Sequence, residues 1–278
     1  MALVPFPNKA TKLADDEPDW DDHEPGQDTG GKMSFLDHLD ELRRRIIYSV
    51  VGVAVGFGIA FFWLNDIFTF VFKPMQAVLP AGQHLIYTEP GEQFFLMFKI
   101  GLMAGLIIAS PIVLSQVWLF IAPGLYSREK KLAIPFVLMG TVLFVGGAAF
   151  SHYLLFPVIW KFFATSSVEF VTFMPRIEPA FSWYLRLMLG TGLTFQLPTL
   201  VLFLAKMGLI TPRFMIRNFG YAVMIIAVVA AVLSPDPGGV GMAMMGLPVI
   251  ILYILSIGLA WLFGKKKRKY DEEPDEAK

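Results

Sequence analysis

The sequence contains no cysteine and few charged residues. Of its 278 residues only 17% are charged, against about a quarter in ordinary soluble domains. Without cysteine the chain can form no disulfide and can offer no thiolate as a nucleophile or metal ligand. The hydrophobic share is 55% and the mean hydropathy is +0.59, so we expect a protein of the lipid bilayer.

Motifs for nucleotide and metal chemistry are also missing. The segment "GKKKRK" at Gly264 follows an apolar run and lacks the glycine spacing of a phosphate-binding loop. The four histidines are scattered without the paired spacing of metal ligands, and no Ser, His and acid arrangement is suggested by the order of residues. We therefore expect no enzymatic activity, no metal, no cofactor and no nucleic-acid partner. The histidines are His23, His38, His84 and His152.

Long apolar segments dominate the rest of the chain. A membrane-spanning helix needs about 20 apolar residues, and six segments meet or approach that length. Prolines in or beside these segments predict kinks and hence a concave bundle. The sequence therefore predicts an all-α, polytopic membrane protein with six transmembrane helices, the last two short. The segments are 46–64, 94–121, 132–156, 180–205, 219–233 and 240–263, and the prolines are Pro111, Pro135, Pro157, Pro198 and Pro248.

Charge patterning predicts the domain boundaries and the orientation. Residues 1–32 are acidic and rich in Pro and Gly, which is typical of a disordered tail. Residues 33–264 form the predicted membrane domain, and residues 265–278 form a basic and then acidic tail. Four clusters of Lys and Arg all fall on the same side of the predicted spans. Because such clusters stay in the cytoplasm, both termini are expected there.

The stretch "SFLDHLDELRRRI", residues 34–46, places acids among the bases before the first span. Ser34 and Asp37 form a capping box, which predicts a helix that starts there and continues into the membrane. Acid and base four residues apart favour ion pairs on such a helix, and an ordinary salt-bridged turn is one interpretation. The other is a clamp for a cationic peptide, because carboxylates bind guanidinium groups through paired hydrogen bonds. The acid–base pairs are Asp40 with Arg44 and Glu41 with Arg45.

Small and polar residues inside the spans predict helix contacts. Gly52 with Gly56, and Gly101 with Gly105, lie one turn apart and favour close packing within the monomer over a dimer face. Gln196 lies in the middle of the fourth span, where a structural hydrogen bond is favoured over contact with a substrate. The alternative function, a small-molecule secondary transporter, would depend on this residue. Lys99 and Arg186, near span ends, are expected to extend their charges to the membrane surface.

Four motifs together resemble the TatC family of the twin-arginine protein translocase over roughly residues 33–263. They are "HLDELRRR", "SPIVLSQVWLFIAPGLYSREKK", the FxxP motif of Phe195–Pro198, and "LSPD" before the last span. The resemblance implies a glove-shaped receptor in the bacterial cytoplasmic membrane that binds twin-arginine signal peptides of folded proteins. It further implies TatA-type and TatB-type single-span partners, self-association in a larger complex, contact with membrane lipid, and transport driven by the proton-motive force.

The resemblance also implies roles for individual residues. The two acids that would recognise the paired arginines are Glu41 and Glu129. Many relatives carry glutamate where this chain has Gln196, which leaves a hydrogen-bonding role with a signal peptide or partner helix but no buried charge. The other matched positions are Leu42 and Arg43 in the signal-reading motif, Phe120 and Pro123 beside it, Pro74 in an outer loop, and Asp236 in the outer turn between spans five and six. For the last two, turn geometry and a functional role are equally favoured.

Overall fold

The computed structural model describes residues 35–79, 83–121, 130–165, 173–233 and 239–263. These ranges are almost entirely helical. Both predicted tails, 1–32 and 265–278, lie outside them, as does Ser34 of the predicted cap. The helices are α1 Phe35–Phe61, α2 Leu64–Val78, α3 Glu92–Ile108, α4 Ser110–Ile121, α5 Lys130–Phe150, α6 Phe156–Thr165, α7 Ile177–Thr194, α8 Leu197–Lys206, α9 Pro212–Arg217, α10 Phe219–Leu233 and α11 Gly239–Phe263, and a π-helical turn, Ser151–Leu155, joins α5 to α6.

The predicted apolar spans all fall on helices. Within the described ranges four helical stretches are long and apolar enough to cross a membrane: Asp37–Phe61, Ile134–Thr165, Ile177–Lys206 and Gly241–Phe263. A fifth span results if α3 and α4 are counted as one bent helix. The remaining segment, α10, is a shorter apolar helix, as its 15 residues predict. The all-α, polytopic architecture expected from the sequence is therefore confirmed.

Two of the predicted kinks interrupt their spans. The axes of α3 and α4 meet at 60° around Ala109, just before Pro111. A turn at Phe195 and Gln196 separates α7 from α8, and Pro198 follows in the first turn of α8. Proline lacks the N–H group that continues a helix, and its ring crowds the preceding turn. Pro135 and Pro248, in contrast, lie inside the continuous helices α5 and α11.

Glycines set the contact between α1 and α3. Gly56 packs so closely against Gly105 that a Cβ on Gly56 would collide with the Gly105 carbonyl oxygen. A Cβ on Gly105 would lie 2.5 Å from the backbone nitrogen of Phe57, and one on Gly101 would lie 2.8 Å from the ring of the same residue. Glycine permits this approach because it has no side chain. The predicted contact within the monomer is thus present, and the two helices run antiparallel.

Helix α2 was not predicted as a helix. Pro74 was predicted to lie in an outer loop, whereas it lies inside α2, half-buried. Val71, Phe72 and Met75 are buried on one face of α2. The indole N–H of Trp160 donates to the Met75 carbonyl oxygen at 3.1 Å and so ties α2 to α6. The helix was missed because its apolar residues follow the one-sided pattern of a surface helix rather than a continuous run.

A buried carboxylate joins the start of α3 to the start of α7. Glu92 accepts hydrogen bonds from the backbone N–H groups of Thr88 at 3.0 Å and of Glu178 at 3.2 Å. Its side chain is 4% exposed and lies 3.5 Å from the Arg176 guanidinium. Nearby, the Lys99 ammonium pairs with Glu178 at 2.5 Å. Lys99 therefore forms a defined ion pair between α3 and α7 instead of only extending to the membrane surface.

Replacing Glu92 with glutamine should weaken this junction. The amide keeps the shape of the side chain but has one acceptor oxygen instead of two, so at least one of the backbone N–H groups loses its partner. We expect the midpoint of thermal unfolding in detergent to fall by several degrees. Glu89→Gln is the matched control, because the Glu89 side chain is 76% exposed and loses only a weak ion pair to Arg176. Equal melting of the two variants would contradict the role of Glu92.

Candidate functional site

The cluster of acids and bases singled out in the sequence lies where α1 meets α4. Because these helices are antiparallel, the first turns of α1 lie beside the last turns of α4. The His38 and Phe120 rings stack there with centroids 4.6 Å apart. Arg43 and Arg44 are exposed on α1. Lys206, at the end of α8, lies over the ring of Phe136, which packs against Trp118 of α4. We call this the basic end of the bundle; Arg213 and Arg217 on α9 follow Lys206 in the chain.

Glu41 and Arg45 form the centre of this region. One carboxylate oxygen of Glu41 accepts a hydrogen bond from Arg45 Nη2 at 2.9 Å. Arg45 Nη1 donates to the side-chain oxygen of Gln116 on α4 at 3.2 Å. The side chains of Glu41 and Arg45 are only 18% and 26% exposed. Water competes little with contacts at such depth, so these charged hydrogen bonds fix the side chains more firmly than a surface pair would be fixed.

This centre still has hydrogen-bonding capacity. The second carboxylate oxygen of Glu41, Oε2, is buried and has no partner among the residues that the structure describes. The same holds for Arg45 Nε. A buried carboxylate oxygen without a donor is unfavourable, because it has lost water and gained nothing in exchange. The arrangement can therefore accept a further N–H donor at Glu41.

The other predicted ion pair is not seen. Arg44, expected to pair with Asp40, donates through Nε to the hydroxyl oxygen of Tyr48 at 3.1 Å. Its guanidinium also lies over the Tyr48 ring, 5.5 Å from the centroid. Spacing of four residues permits an ion pair but does not require one when an aromatic side chain lies one further turn along the helix.

Some of the remaining predicted site residues lie within the described ranges and others lie outside them. Leu42 is half-buried and Arg43 is exposed on the same turn as Glu41. Phe120 lies on the facing helix, so the structure brings these residues together with Glu41. Three others lie outside the described residues, namely Pro123, Glu129 and Asp236. Pro74 lies in α2, at the end of the bundle opposite to the basic end.

Gln196 lies at the break between α7 and α8 and faces α5. Its amide group donates to the Gly140 carbonyl oxygen at 2.8 Å, which is the structural bond to a neighbouring helix that the sequence favoured. Its own side-chain oxygen is buried without a partner among the described residues, as is Trp118 Nε1 close by. Both line one edge of a largely apolar cavity of about 380 Å³ between α4 and α7. This residue thus combines a structural bond with a buried acceptor oxygen that has no partner among the described residues.

Gln116 was missed as a site residue. It lies inside one of the quoted motifs, but nothing in the sequence connects it with a side chain 71 positions earlier. The available signal was a polar residue within an apolar span, close to its basic end. Its contact with Arg45 follows only once the register of α1 against α4 is known.

Taken with the apolar helices, these features define a polytopic membrane protein with a charged, partly open hydrogen-bonding site at one end of its bundle. A family model described as Sec-independent protein translocase protein (TatC) matches residues 37–248. The chain belongs to the TatC family.

Individual relatives support this assignment. A Sec-independent protein translocase protein TatC from Koribacter versatilis is 42% identical over 248 residues, covering 88% of this chain and 91% of the relative. That of Aquifex aeolicus is 34% identical over 239 residues, covering 85% and 98%. Two crystal structures of the twin-arginine translocase receptor TatC, one in the detergent DDM, match with TM-scores of 0.69 and 0.70 at 35% and 34% identity. They cover 81% and 82% of this chain and 98% and 100% of their own.

Membership of this family decides between the two functions considered from the sequence. The chain is a non-enzymatic, multi-pass component of the Tat protein translocase. The resemblance identified from the four motifs is confirmed. The alternative, a small-molecule transporter centred on Gln196, loses its support, because that side chain already forms a structural hydrogen bond within a protein-export fold.

Proposed function

We propose that this chain is the receptor subunit of a twin-arginine translocase and binds the signal peptides of folded export substrates at its basic end. The observation that supports this most directly is the free carboxylate oxygen of Glu41. It is buried, it lies amid the bases that flank the first span, and it has no donor within the described part of the chain. A guanidinium group from a signal peptide is the donor that such an oxygen binds best.

In the proposed mechanism, the paired arginines of the signal peptide dock against Glu41 and Glu129. Glu41 Oε2 accepts one N–H of the first guanidinium, while Oε1 stays bonded to Arg45. Glu129 is proposed as the second acid on its sequence match alone. A guanidinium is a planar group with five donors, whereas an ammonium is a compact and strongly hydrated charge, so arginine is preferred over lysine. Leu42, Arg43, Phe120 and Pro123 are proposed to shape the surface around the bound peptide.

The orientation proposed for the chain follows from its bases. The basic end faces the cytoplasm of a bacterial cell, and the chain lies in the cytoplasmic membrane with both termini inside. Residues 1–32 and 265–278 are then solvated cytoplasmic tails that precede and follow a membrane domain, 33–264, along the chain. The outward side carries Pro74 on α2 and the turn that contains Asp236, where turn geometry and a functional role are equally compatible with the sequence.

Assembly with other subunits is proposed at the short helices. Helix α10 has 15 residues and reaches only about 22 Å, less than the roughly 30 Å of a bilayer core. TatA-type and TatB-type single-span proteins are proposed to gather beside it and thin the membrane, with the proton-motive force driving transport and further copies of the chain joining the complex. The free side-chain oxygen of Gln196 is proposed to accept a hydrogen bond from a signal peptide or a partner helix.

Site-specific photo-crosslinking tests the receptor proposal. A photoreactive residue is placed at exposed Asp40, beside Glu41, in the full chain in membranes with its partner subunits. Precursors carry Arg-Arg or Lys-Lys in an otherwise identical signal peptide. We expect a crosslink to the Arg-Arg precursor that is about tenfold stronger than that to the Lys-Lys precursor, since one charge-assisted contact is lost.

The control places the same probe at exposed Asp66, near the start of α2 at the opposite end of the bundle. This position should give no crosslink that depends on the arginines. Equal crosslinks to both precursors at the basic end would show that Glu41 only pairs with residues of its own chain. The receptor proposal would then be wrong, although the family assignment would stand.

A further inference from the structure

We infer that Gln116 is a positioning residue of the proposed signal-peptide site. By binding Nη1 of Arg45, Gln116 keeps Glu41 Oε2 available for an incoming arginine. This inference rests on the proposed receptor function. The guanidinium of Arg45 donates to two different acceptors. Nη2 bonds to Glu41 Oε1 at 2.9 Å and Nη1 bonds to Gln116 Oε1 at 3.2 Å.

An arginine and a glutamate one helical turn apart have another arrangement open to them. The guanidinium can bind both carboxylate oxygens end-on, through Nη1 and Nη2 in a paired, parallel geometry. In that arrangement Glu41 Oε2 would be occupied by the chain's own arginine. Gln116 offers a second acceptor on the facing helix and holds Nη1, so the end-on pair is not formed, and Oε2 has no donor within the described ranges.

The Gln116 amide is itself oriented. Its Nε2 donates to the hydroxyl oxygen of Ser115 at 3.3 Å, and that hydroxyl donates to the Ile112 carbonyl oxygen at 2.6 Å. With the Ser115 proton committed to the backbone, its oxygen can only accept, so it selects the amide nitrogen of Gln116. The side-chain oxygen of Gln116 is thereby turned towards Arg45. A chain of hydrogen bonds thus runs from the backbone of α4 through Gln116 and Arg45 to Glu41 on α1.

The hydrogen bonds that link Gln116, Arg45 and Glu41 can control Glu41 Oε2 because these side chains are partly buried. Gln116 is half-buried, and the side chains of Arg45 and Glu41 are 26% and 18% exposed. At the surface, water would replace any acceptor that Arg45 lost. Here the nearest replacement for a lost Gln116 oxygen is Glu41 Oε2, the atom that the incoming arginine needs. Removing the Gln116 amide should therefore let Arg45 bind Glu41 Oε2, which blocks the site for an incoming arginine.

Gln116→Leu in the full chain, assembled in membranes with its partner subunits, tests this inference. The measurement is the affinity for Arg-Arg and Lys-Lys precursors, normalised to the amount of chain in the membrane. We expect about tenfold weaker binding of the Arg-Arg precursor and an Arg-to-Lys preference that approaches one, the effect of one lost charge-assisted hydrogen bond. A purely structural role would change the amount of folded chain but not this preference.

Two further variants separate positioning from folding. Gln116→Glu keeps an acceptor for Arg45 and should retain both affinity and preference, even if Gln116→Leu accumulates poorly. Lysine has no forked guanidinium, so in Arg45→Lys the side chain cannot bind both oxygens of Glu41 in the paired geometry. Adding Gln116→Leu to Arg45→Lys should therefore change the affinity far less than Gln116→Leu does in the original chain. Gln93→Leu is the matched control, because Gln93 is exposed at the start of α3 at the opposite end.

The outcomes distinguish this inference from the receptor proposal. If Gln116→Leu binds both precursors as the original chain does while Glu41→Gln loses the Arg-Arg preference, the positioning role is wrong and the receptor stands. Loss of the preference in Gln116→Glu would also overturn the positioning role. If Glu41→Gln leaves the preference intact, the receptor proposal itself fails.

Discussion

Gly105→Leu is expected to prevent stable folding of the membrane bundle. A Cβ at this position would lie 2.5 Å from the backbone nitrogen of Phe57 and 2.7 Å from its Cα, so the obstacle is backbone and cannot rotate away. The helices α1 and α3 would have to separate, which would also break the contact of Gly56 with Gly105. Overpacking that shifts side chains and nearby backbone typically costs about 1–3 kcal/mol, and separating two whole helices costs more. Protease resistance in membranes and thermal unfolding in detergent would measure the loss.

Gly58→Leu supplies the matched control on the same helix pair. A Cβ on Gly58 would meet nothing within 4 Å, and the residue is exposed on α1. Leucine on a face that contacts lipid is favourable, because lipid tails are as apolar as its side chain. The control should accumulate and melt like the original chain. If Gly105→Leu behaved in the same way, the close approach of α1 and α3 would not be what holds the bundle together.

Much of this fold could be predicted because membrane spans are determined locally. A segment such as 132–156 has too many apolar residues for any other environment, and backbone groups in lipid must form helices. The glycine pairs and the prolines in the first turns of α4 and α8 are equally local signals. Gly101 and Gly105 predicted a close helix contact, and they form one with α1.

Features that depend on contacts between distant segments were missed. Helix α2 has the one-sided pattern of a surface helix, but that pattern does not give the core against which its buried face, with Val71 and Met75, packs. Lys99 was assigned to the membrane surface because its partner, Glu178, lies 79 residues further along the chain. The same limit applied to Glu92, whose backbone donors come from the loop before α3 and from the first turn of α7. No periodicity in the sequence encodes such pairings.

The candidate site contains one feature that is determined locally and one that depends on a distant segment. The Glu41 and Arg45 pair follows from spacing on one helix, and it is present at 2.9 Å. The free oxygen of Glu41 does not follow from spacing, since it depends on Gln116 from another helix. Glu129 lies outside the described residues, so its role as the second acid remains a prediction from the family motif.

Glu41→Lys is expected to abolish export of twin-arginine substrates while membrane insertion continues. The change removes the acceptor for the incoming guanidinium and places an ammonium next to Arg45, so the site repels the group that it should bind. Loss of a buried charged contact at an interface costs about 2–5 kcal/mol, which corresponds to at least about thirtyfold weaker binding. Precursor affinity, amount of inserted chain and export of a folded reporter protein would be measured together.

Asp40→Lys is the control that separates a specific contact at Glu41 from an effect of the net charge at the basic end. Asp40 lies on the same turn and undergoes the same change of charge, but it is exposed. Its effect should be small and should fade as salt is raised, because exposed charges are screened over about 10 Å. The Glu41→Lys defect should persist in salt, since a hydrogen-bonded carboxylate at 18% exposure is poorly screened. Equal, salt-sensitive defects in both variants would mean that the basic end attracts or repels peptides by net charge alone, and that Glu41 has no particular part in reading arginine.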